Sequence, residues 1–328
     1  MGLNTIRDHV DNNFKENPDY NFITCPYTKK RITNKNLKVN PEKIIKESKQ
    51  LNVIAFRTSE EMLNEKKIDG FVLCTPHSSH EKQIKNLIKY KKAIFVEKPL
   101  ALNSTSAKKI ITVCKKNKIL LAVGQNRRFL ETFSYLKKQI IQNKIGKITH
   151  IEGSFSGKSS FKSNEKSWRN KIAETPLGGM TGKGIHITDL MINLNGRVKK
   201  VLARSKKVLK NSMLDDSTDV ILEFKNGTMG YLSTILATTK YWELRVFGSK
   251  GWIKIFDEKS ITQKIESKKI QQINLKYKNI EKEELEEFAR CIKYRKKFPV
   301  DLNEVLENTK VFEACVKSKK LKSKFVKV

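Results

Sequence analysis

No apolar run in the sequence approaches the roughly 18 residues that a membrane-spanning helix requires. The opening Met1-Gly-Leu-Asn-Thr-Ile-Arg-Asp8 lacks the basic head and apolar body of a secretory leader. These absences exclude a helical membrane protein and predict a cytoplasmic location with no membrane partner. Cysteine is sparse. The five, at positions 25, 74, 114, 291 and 315, are odd in number and never spaced Cys-x-x-Cys. Neither a disulfide framework nor a thiolate metal site is expected, and no metal is expected. Internal repeats and low-complexity linkers are missing too. Acidic residues are scarce, with 34 Asp and Glu against 67 Lys and Arg for a net charge of +33, a balance that raises nucleic-acid binding as a function class. The lysines, however, are scattered as Lys-Lys pairs on polar helix faces and turns. No basic motif is interleaved with aromatics, so no specific nucleic-acid partner is expected. The densest cluster, Lys317 to Lys327, follows an amphipathic helix predicted over 305–316, where basic residues suit the negative end of the helix dipole.

What is present is a globular composition. With 38% hydrophobic and 31% charged residues in 328, the chain is long enough for two domains that each bury a core. Phe71-Val-Leu-Cys-Thr-Pro-His-Ser-Ser-His80 and Ala93-Ile-Phe-Val-Glu-Lys-Pro-Leu-Ala-Leu-Asn103 are short apolar, β-branched runs that stop abruptly at polar residues or proline. Buried parallel strands deliver side chains to the carboxyl edge of a sheet in this way, and ligands of open α/β sheets bind at that edge. Between them Ile84, Leu87 and Ile88 have helical spacing, so the unit reads strand, crossover helix, strand. Lys98 is then an ammonium at the lip of a cleft. Thr58-Ser-Glu-Glu61 is a capping box for a short helix. A helix near 106–116 and a strand over 119–123 complete a first domain, expected to span 1–124.

The pattern changes in the second domain, expected over 125–328. Phe129, Phe133, Leu136 and Ile140 form one helix face. Alternating strands follow over 148–155, 200–205, 218–224, 228–234, 242–247 and 252–256, separated by turns such as Asn226-Gly227. Successive hairpins imply an antiparallel sheet.

Five segments occur in one order and spacing: Thr75-Pro-x-x-x-His80, Glu97-Lys-Pro99, Gly124-Gln-Asn-Arg-Arg128, Trp168-Arg169 and Gly178-Gly-Met-Thr-Gly-Lys-Gly-Ile-His186-Ile-Thr-Asp189. In these segments, from about residue 50 to the C-terminus, the chain resembles the Gfo/Idh/MocA oxidoreductases, the family of glucose-fructose oxidoreductase and inositol dehydrogenase. The resemblance implies an α/β Rossmann-type parallel-sheet domain followed by an α+β domain with a large, mainly antiparallel open sheet, often an oligomer interface. A homodimer or homotetramer is expected. It implies hydride transfer between NAD or NADP and a hydroxyl or carbonyl carbon of a sugar, cyclitol or sugar derivative.

Such a transfer needs a base of near-neutral pKa beside the hydroxyl, which histidine supplies. His186 holds that place in the family motif. Lys98 would hold the developing alkoxide by charge. Asp189, three residues on from His186 along a helix, would orient the imidazole or bind a substrate hydroxyl; a cap or local salt bridge is the plainer reading. These three form the expected catalytic set. The resemblance also places Gly2, Thr5, Ile6, Thr75, Pro76, His77, His80, Glu97, Lys98, Gln125, Asn126, Trp168 and Arg169 at the cofactor. The chain departs from the family at Gly182, where many relatives carry an aspartate.

The amino terminus departs further. A dinucleotide site needs a first strand, a glycine loop at a helix N-terminus and an acid on the adenine ribose. Here no strand precedes Gly2, and Asn4 and Arg7 stand where the next two glycines would be counted. Tyr20 to Cys25 reads as the second strand, with Pro26 in place of its terminal acid. Tyr27-Thr-Lys-Lys-Arg31 favours a 2′-phosphate, pointing to NADP ahead of NAD. The alternative is a cofactor-impaired paralogue kept as a binding or scaffolding subunit.

Overall fold

The computed structural model describes residues 68–158 and 168–328, together with 62–63 and three short strands ahead of them. Gly2, Thr5, Ile6, Pro26, the 27–30 stretch and the 58–61 capping box lie outside the described residues. The chain folds as two compact units. The first takes Met1–Gly124, Ser163–Glu174 and Glu281–Leu302; the second takes Gln125–Lys162, Thr175–Ile280 and Asn303–Val328. The division is therefore not a single cut after Gly124. The helices are α1 (His80–Leu87), α2 (Ser104–Lys116), α3 (Glu131–Ile141), α4 (Ile185–Asn195), α5 (Ile280–Tyr294) and α6 (Leu302–Lys320).

The first unit holds strands β1 (Ile23–Thr24), β2 (Arg31–Thr33), β3 (Ile54–Phe56), β4 (Gly70–Leu73), β5 (Ala93–Glu97) and β6 (Leu121–Gly124), in the order β3-β2-β1-β4-β5-β6. Strands β4, β5 and β6 run parallel, with Leu73 opposite Val96 and Glu97 opposite Gly124, so all three end at one edge. Their buried residues explain why they read as continuous apolar runs: both faces are covered. Asn103 caps α2 by accepting the Ser106 N–H at 2.8 Å, and Ala107, Ile110 and Cys114 point into the core. Helix α5 brings Phe288 within 5.6 Å of the Phe95 ring, ring centre to ring centre.

The stretch expected as the second strand behaves differently. Within it β1 lies directly beside β4 and antiparallel to it, pairing Ile23 with Leu73 and Thr24 with Val72. Strand β2, parallel to β3, takes the next place. A buried strand edge must find partners for its N–H and C=O groups, and an extended segment of either direction supplies them.

The second unit is built on β7 (Ile148–Ser156), β8 (Val198–Lys206), β9 (Ser217–Phe224), β10 (Met229–Ile235), β11 (Tyr241–Gly248), β12 (Gly251–Phe256), β13 (Ser260–Ile265), β14 (Gln271–Asn274) and β15 (Val326–Lys327). The sheet order is β14-β13-β12-β11-β7-β10-β9-β8-β15. Strand β7 inserts at the centre, parallel to β10 and antiparallel to β11. The sheet is thus mainly antiparallel, as expected, with the β7–β10 pair parallel. The Asn226-Gly227 turn does close the β9–β10 hairpin, with Gly227 at φ +87°. Alternation puts Val220, Leu222, Leu232 and Leu244 inside, and leaves Ile221, Tyr231, Ile235 and Tyr241 exposed. Strands β13 to β15 and helix α5 were not anticipated from the sequence. Among the described residues no helix is long and apolar enough to cross a membrane.

Candidate active site

In the first unit, chemistry gathers where β4 and β5 end. After β4 the chain turns through Thr75 and Pro76 into a 3-10 turn, His77–Ser79, that runs on into α1. Thr75 Oγ1 donates to Gln83 Oε1 at 2.6 Å, tying the turn to α1. Lys98, the residue after β5, is buried to 5% exposure. A solvated strand-end lysine would not be.

His80 is fully buried, with Nδ1 3.1 Å from the Pro99 carbonyl and 3.2 Å from that of Leu100, and Nε2 3.1 Å from the Thr75 carbonyl. Its ring thus spans the turn after β4 and the turn after β5. Burial lowers its pKa, opposed by the carbonyls around the ring. His77 presents Nδ1 to the Glu174 backbone oxygen at 3.0 Å, and Trp168 meets its ring edge to face at 4.9 Å. Burial, with His80 and then the Lys98 and Arg169 charges, holds His77 well below its ordinary pKa, so the ring is neutral near pH 7. The Arg169 guanidinium stacks 4.4 Å over Trp168. Glu97 ends β5 opposite Gly124. Thr75, Pro76, His77, His80, Lys98, Trp168 and Arg169 therefore share one neighbourhood. Within it both ring nitrogens of His80 face backbone carbonyls, and its ring meets that of His77 edge to face at 6.1 Å.

In the second unit a glycine-rich π-helical turn, Met180–Gly184, leads into α4. Gly178 sits at φ +49°, and a Cβ there would overlap the carbonyl oxygen of Asp215. Glycine is obligatory at that point. His186, on the first turn of α4, is 1% exposed, and its ring lies 6.0 Å from that of Phe155. The same Phe155 ring receives the Lys183 ammonium at 4.8 Å and the Arg127 guanidinium at 5.0 Å. Arg127 is paired with Glu258 at 2.6 Å.

Asp189 is also buried, and Arg128 holds both its oxygens, through Nε at 2.7 Å and Nη2 at 2.6 Å. Arg128 donates as well to Glu304, which accepts Asn193 Nδ2 at 2.9 Å. Burial raises the Asp189 carboxyl above its ordinary pKa, with Arg128 opposing it. Burial alone would lower Arg128, but Asp189 and Glu304 outweigh it and hold it above its ordinary value. The recorded partner of Asp189 is thus Arg128. Gln125 and Asn126 follow β6 and are buried, and among the described residues Gln125 Oε1 has no hydrogen-bond partner. Among the described residues no group of His, Cys, Asp and Glu is placed to hold a metal.

The sequence profile described as the oxidoreductase family, NAD-binding Rossmann fold, matches residues 32–125, and that of the GFO/IDH/MocA C-terminal domain matches residues 133–254. The chain belongs to the GFO/IDH/MocA family. It is 27% identical over 213 residues to myo-inositol 2-dehydrogenase of Thermotoga maritima, covering 61% of this chain and 60% of that protein. It spans between 54% and 60% of the length of the first curated relatives it matches. Levoglucosan dehydrogenase, solved with NADH and levoglucosan, superposes with a TM-score of 0.81 at 19% identity, over 92% of this chain and 90% of that one. Aldose-aldose oxidoreductase from Caulobacter crescentus, solved with glycerol, gives 0.77 at 19% identity, over 88% and 89%. These likenesses establish the GFO/IDH/MocA fold.

Several residues of this GFO/IDH/MocA chain escaped the sequence reading, Glu258 among them. Arg127 and Arg128 stood inside a quoted motif without roles, and two adjacent arginines at a strand end were the available signal. Glu174 and Glu304 carried none. Their partners lie 96 and 176 residues away, beyond any local pattern.

Proposed function

We propose that the chain is an NAD(P)-dependent oxidoreductase acting on a CH–OH group of a sugar, cyclitol or sugar derivative. The observation that carries this reading is the burial of Lys98 at a parallel-strand end, beside a cluster suited to a dinucleotide. That cluster offers a cation, threonine and histidine polar atoms, and a Trp168–Arg169 stack. Gln125 Oε1, buried at 2% exposure and without a partner among the described residues, is an acceptor that a ribose hydroxyl would satisfy. When bound, the dinucleotide supplies or receives the hydride. The chain's residues do the rest. His186 takes the hydroxyl proton as the C–H bond breaks, and Lys98 holds the oxygen on which charge develops. Asp189 is a positioning residue, fixing α4 through Arg128. NADP is favoured over NAD by Lys29, Lys30 and Arg31. The exposed apolar side of the second sheet favours a homodimer or homotetramer.

A second reading, a paralogue that has lost cofactor binding and serves as a binding or scaffolding subunit, is favoured by one observation. The place beside β4 is taken by a two-residue antiparallel strand, where a dinucleotide fold carries a parallel one followed by its phosphate loop. Titration of the purified chain with NADPH and NADH, read by dihydronicotinamide fluorescence, separates the two. Saturable binding of either, followed by turnover on a panel of sugars and cyclitols, supports the enzyme. Binding of neither overturns it.

A further inference from the structure

Residues 168–174 belong to the first unit and rest on the turn that ends β4. Two hydrogen bonds within the segment, Lys171 N to Trp168 O at 3.0 Å and Glu174 N to Lys171 O at 2.9 Å, wind it into consecutive turns. Its ends are held differently. At the start, the Trp168 ring packs edge to face on His77. At the finish, Glu174 reaches the 3-10 turn with its whole carboxylate: Oε2 accepts the Ser78 N–H at 3.2 Å, and Oε1 accepts the Ser78 hydroxyl. Its backbone oxygen faces His77 Nδ1 at 3.0 Å.

This is an anchored carboxylate, 8% exposed, at the amino end of a turn that continues into α1. Free N–H groups and the positive end of the dipole favour an anion there. Hydrogen bonds to an ionised acceptor are the stronger kind. Ile172 points to solvent at 67% exposure, and Arg169 stacks on Trp168.

We infer that Glu174 is a positioning residue, a latch that closes on Ser78 and thereby seats Trp168 and Arg169 over the carboxyl edge of the first sheet for nucleotide binding. The nucleotide part of this inference rests on the function proposed above; the latch itself does not. Trp168 and Arg169 touch the ligand, and Glu174 acts through them. Loss of the latch loosens the segment and weakens the nucleotide without altering the hydride-transfer groups.

The test uses the full chain carrying Glu174→Ala, Glu174→Gln or Ser78→Ala. Amide hydrogen exchange over 168–174 is measured without nucleotide, followed by NADPH and NADH dissociation constants and by kcat at saturating nucleotide. Glu174→Ala is expected to speed exchange in that segment and raise the dissociation constant about tenfold, the scale of losing hydrogen bonds to a charged group, with kcat within about twofold of the parent. Glu174→Gln, which keeps one carbonyl acceptor for Ser78, should fall between. Should Glu174→Ala not fold, Ser78→Ala carries the test, since it removes only a hydroxyl. Unchanged exchange in every one of Glu174→Ala and Ser78→Ala that folds overturns the latch. Faster exchange with unchanged affinity overturns its role in binding. Faster exchange in a parent chain that binds neither nucleotide supports the latch and overturns the enzyme reading alone.

Discussion

Arg128 faces Asp189 fork to fork, with Nε on one carboxylate oxygen at 2.7 Å and Nη2 on the other at 2.6 Å, both side chains buried. The pair joins the turn after β6 to the middle of α4, the helix that carries His186, and both belong to the second unit. A buried pair of this kind is costly to break from one side, because the survivor is left charged without its partner. Arg128→Met is therefore expected to destabilise the chain by about 3 to 5 kcal/mol in urea unfolding. The double variant Arg128→Met with Asp189→Leu should recover most of that loss. If the double variant is as unstable as the sum of the singles, the two residues are not coupled, and the positioning role of Asp189 fails with them.

Acid should weaken the first unit earlier than carboxylate protonation alone would. Burial holds both His77 and His80 below the ordinary histidine value, the first of them well below it. The folded state then takes up protons less readily than the unfolded chain. Stability from these rings is fully present above about pH 6.5 and is lost as pH falls through the lowered folded values, at up to about 1.4 kcal/mol per pH unit for each ring. Urea midpoints measured from about pH 7.5 down to about pH 5 should fall steadily, and His77→Asn should flatten the slope. Parallel profiles for parent and variant would assign the acid sensitivity elsewhere.

Much of this architecture was legible because its signals are local. The runs ending at Leu73 and Glu97 are apolar on both faces, which only a covered parallel sheet requires. Alternation along 218–224 and 228–234 marks half-buried strands, and Asn226-Gly227 fixes their turn. Pairing over long distances was not legible. Strand β7 reads as the first member of a hairpin series, yet it lies between β10 and β11, because alternation says which face of a strand is buried and nothing about its neighbour. The stretch around Ile23 read correctly as extended but not in its direction, since an edge accepts either. Lys98, His77 and His186 were named from motifs in the sequence, and the structure buries Lys98 and His186. The carboxylates that hold their surroundings in place, Glu174, Glu304 and Glu258, were invisible, each meeting its partner across about a hundred residues or more.

The catalytic assignments predict a kinetic phenotype. Lys98→Ala and His186→Asn should each lower kcat by two to three decades on a substrate identified from the panel, the usual cost of removing a group that stabilises transition-state charge or moves its proton. Nucleotide affinity should persist in His186→Asn, whose ring is assigned to the substrate hydroxyl. Circular dichroism and urea unfolding verify that each variant is folded. A variant with near-parent turnover removes its residue from the mechanism.

The glycine-rich turn ahead of His186 allows a prediction within one motif, because its glycines are glycine for different reasons. At Gly178 the backbone is left-handed at φ +49° and a side chain would run into the Asp215 carbonyl, which is backbone and cannot swing aside. Gly178→Ala should cost well over the roughly 1 kcal/mol of conformational strain alone, and should loosen the turn that presents His186. At Gly182 a Cβ would meet nothing within 4 Å, and the residue sits in helical turn geometry. Gly182→Ala should therefore be neutral or stabilise by about 0.4 to 1 kcal/mol, through a less free unfolded chain. Gly182→Asp, which restores the side chain many relatives carry, should fold as well and act on substrate choice instead, changing KM across the panel while nucleotide affinity holds. Thermal unfolding of the three variants reads the first two outcomes, and steady-state kinetics reads the third. Equal destabilisation at positions 178 and 182 would mean that the open space beside Gly182 does not exist in solution.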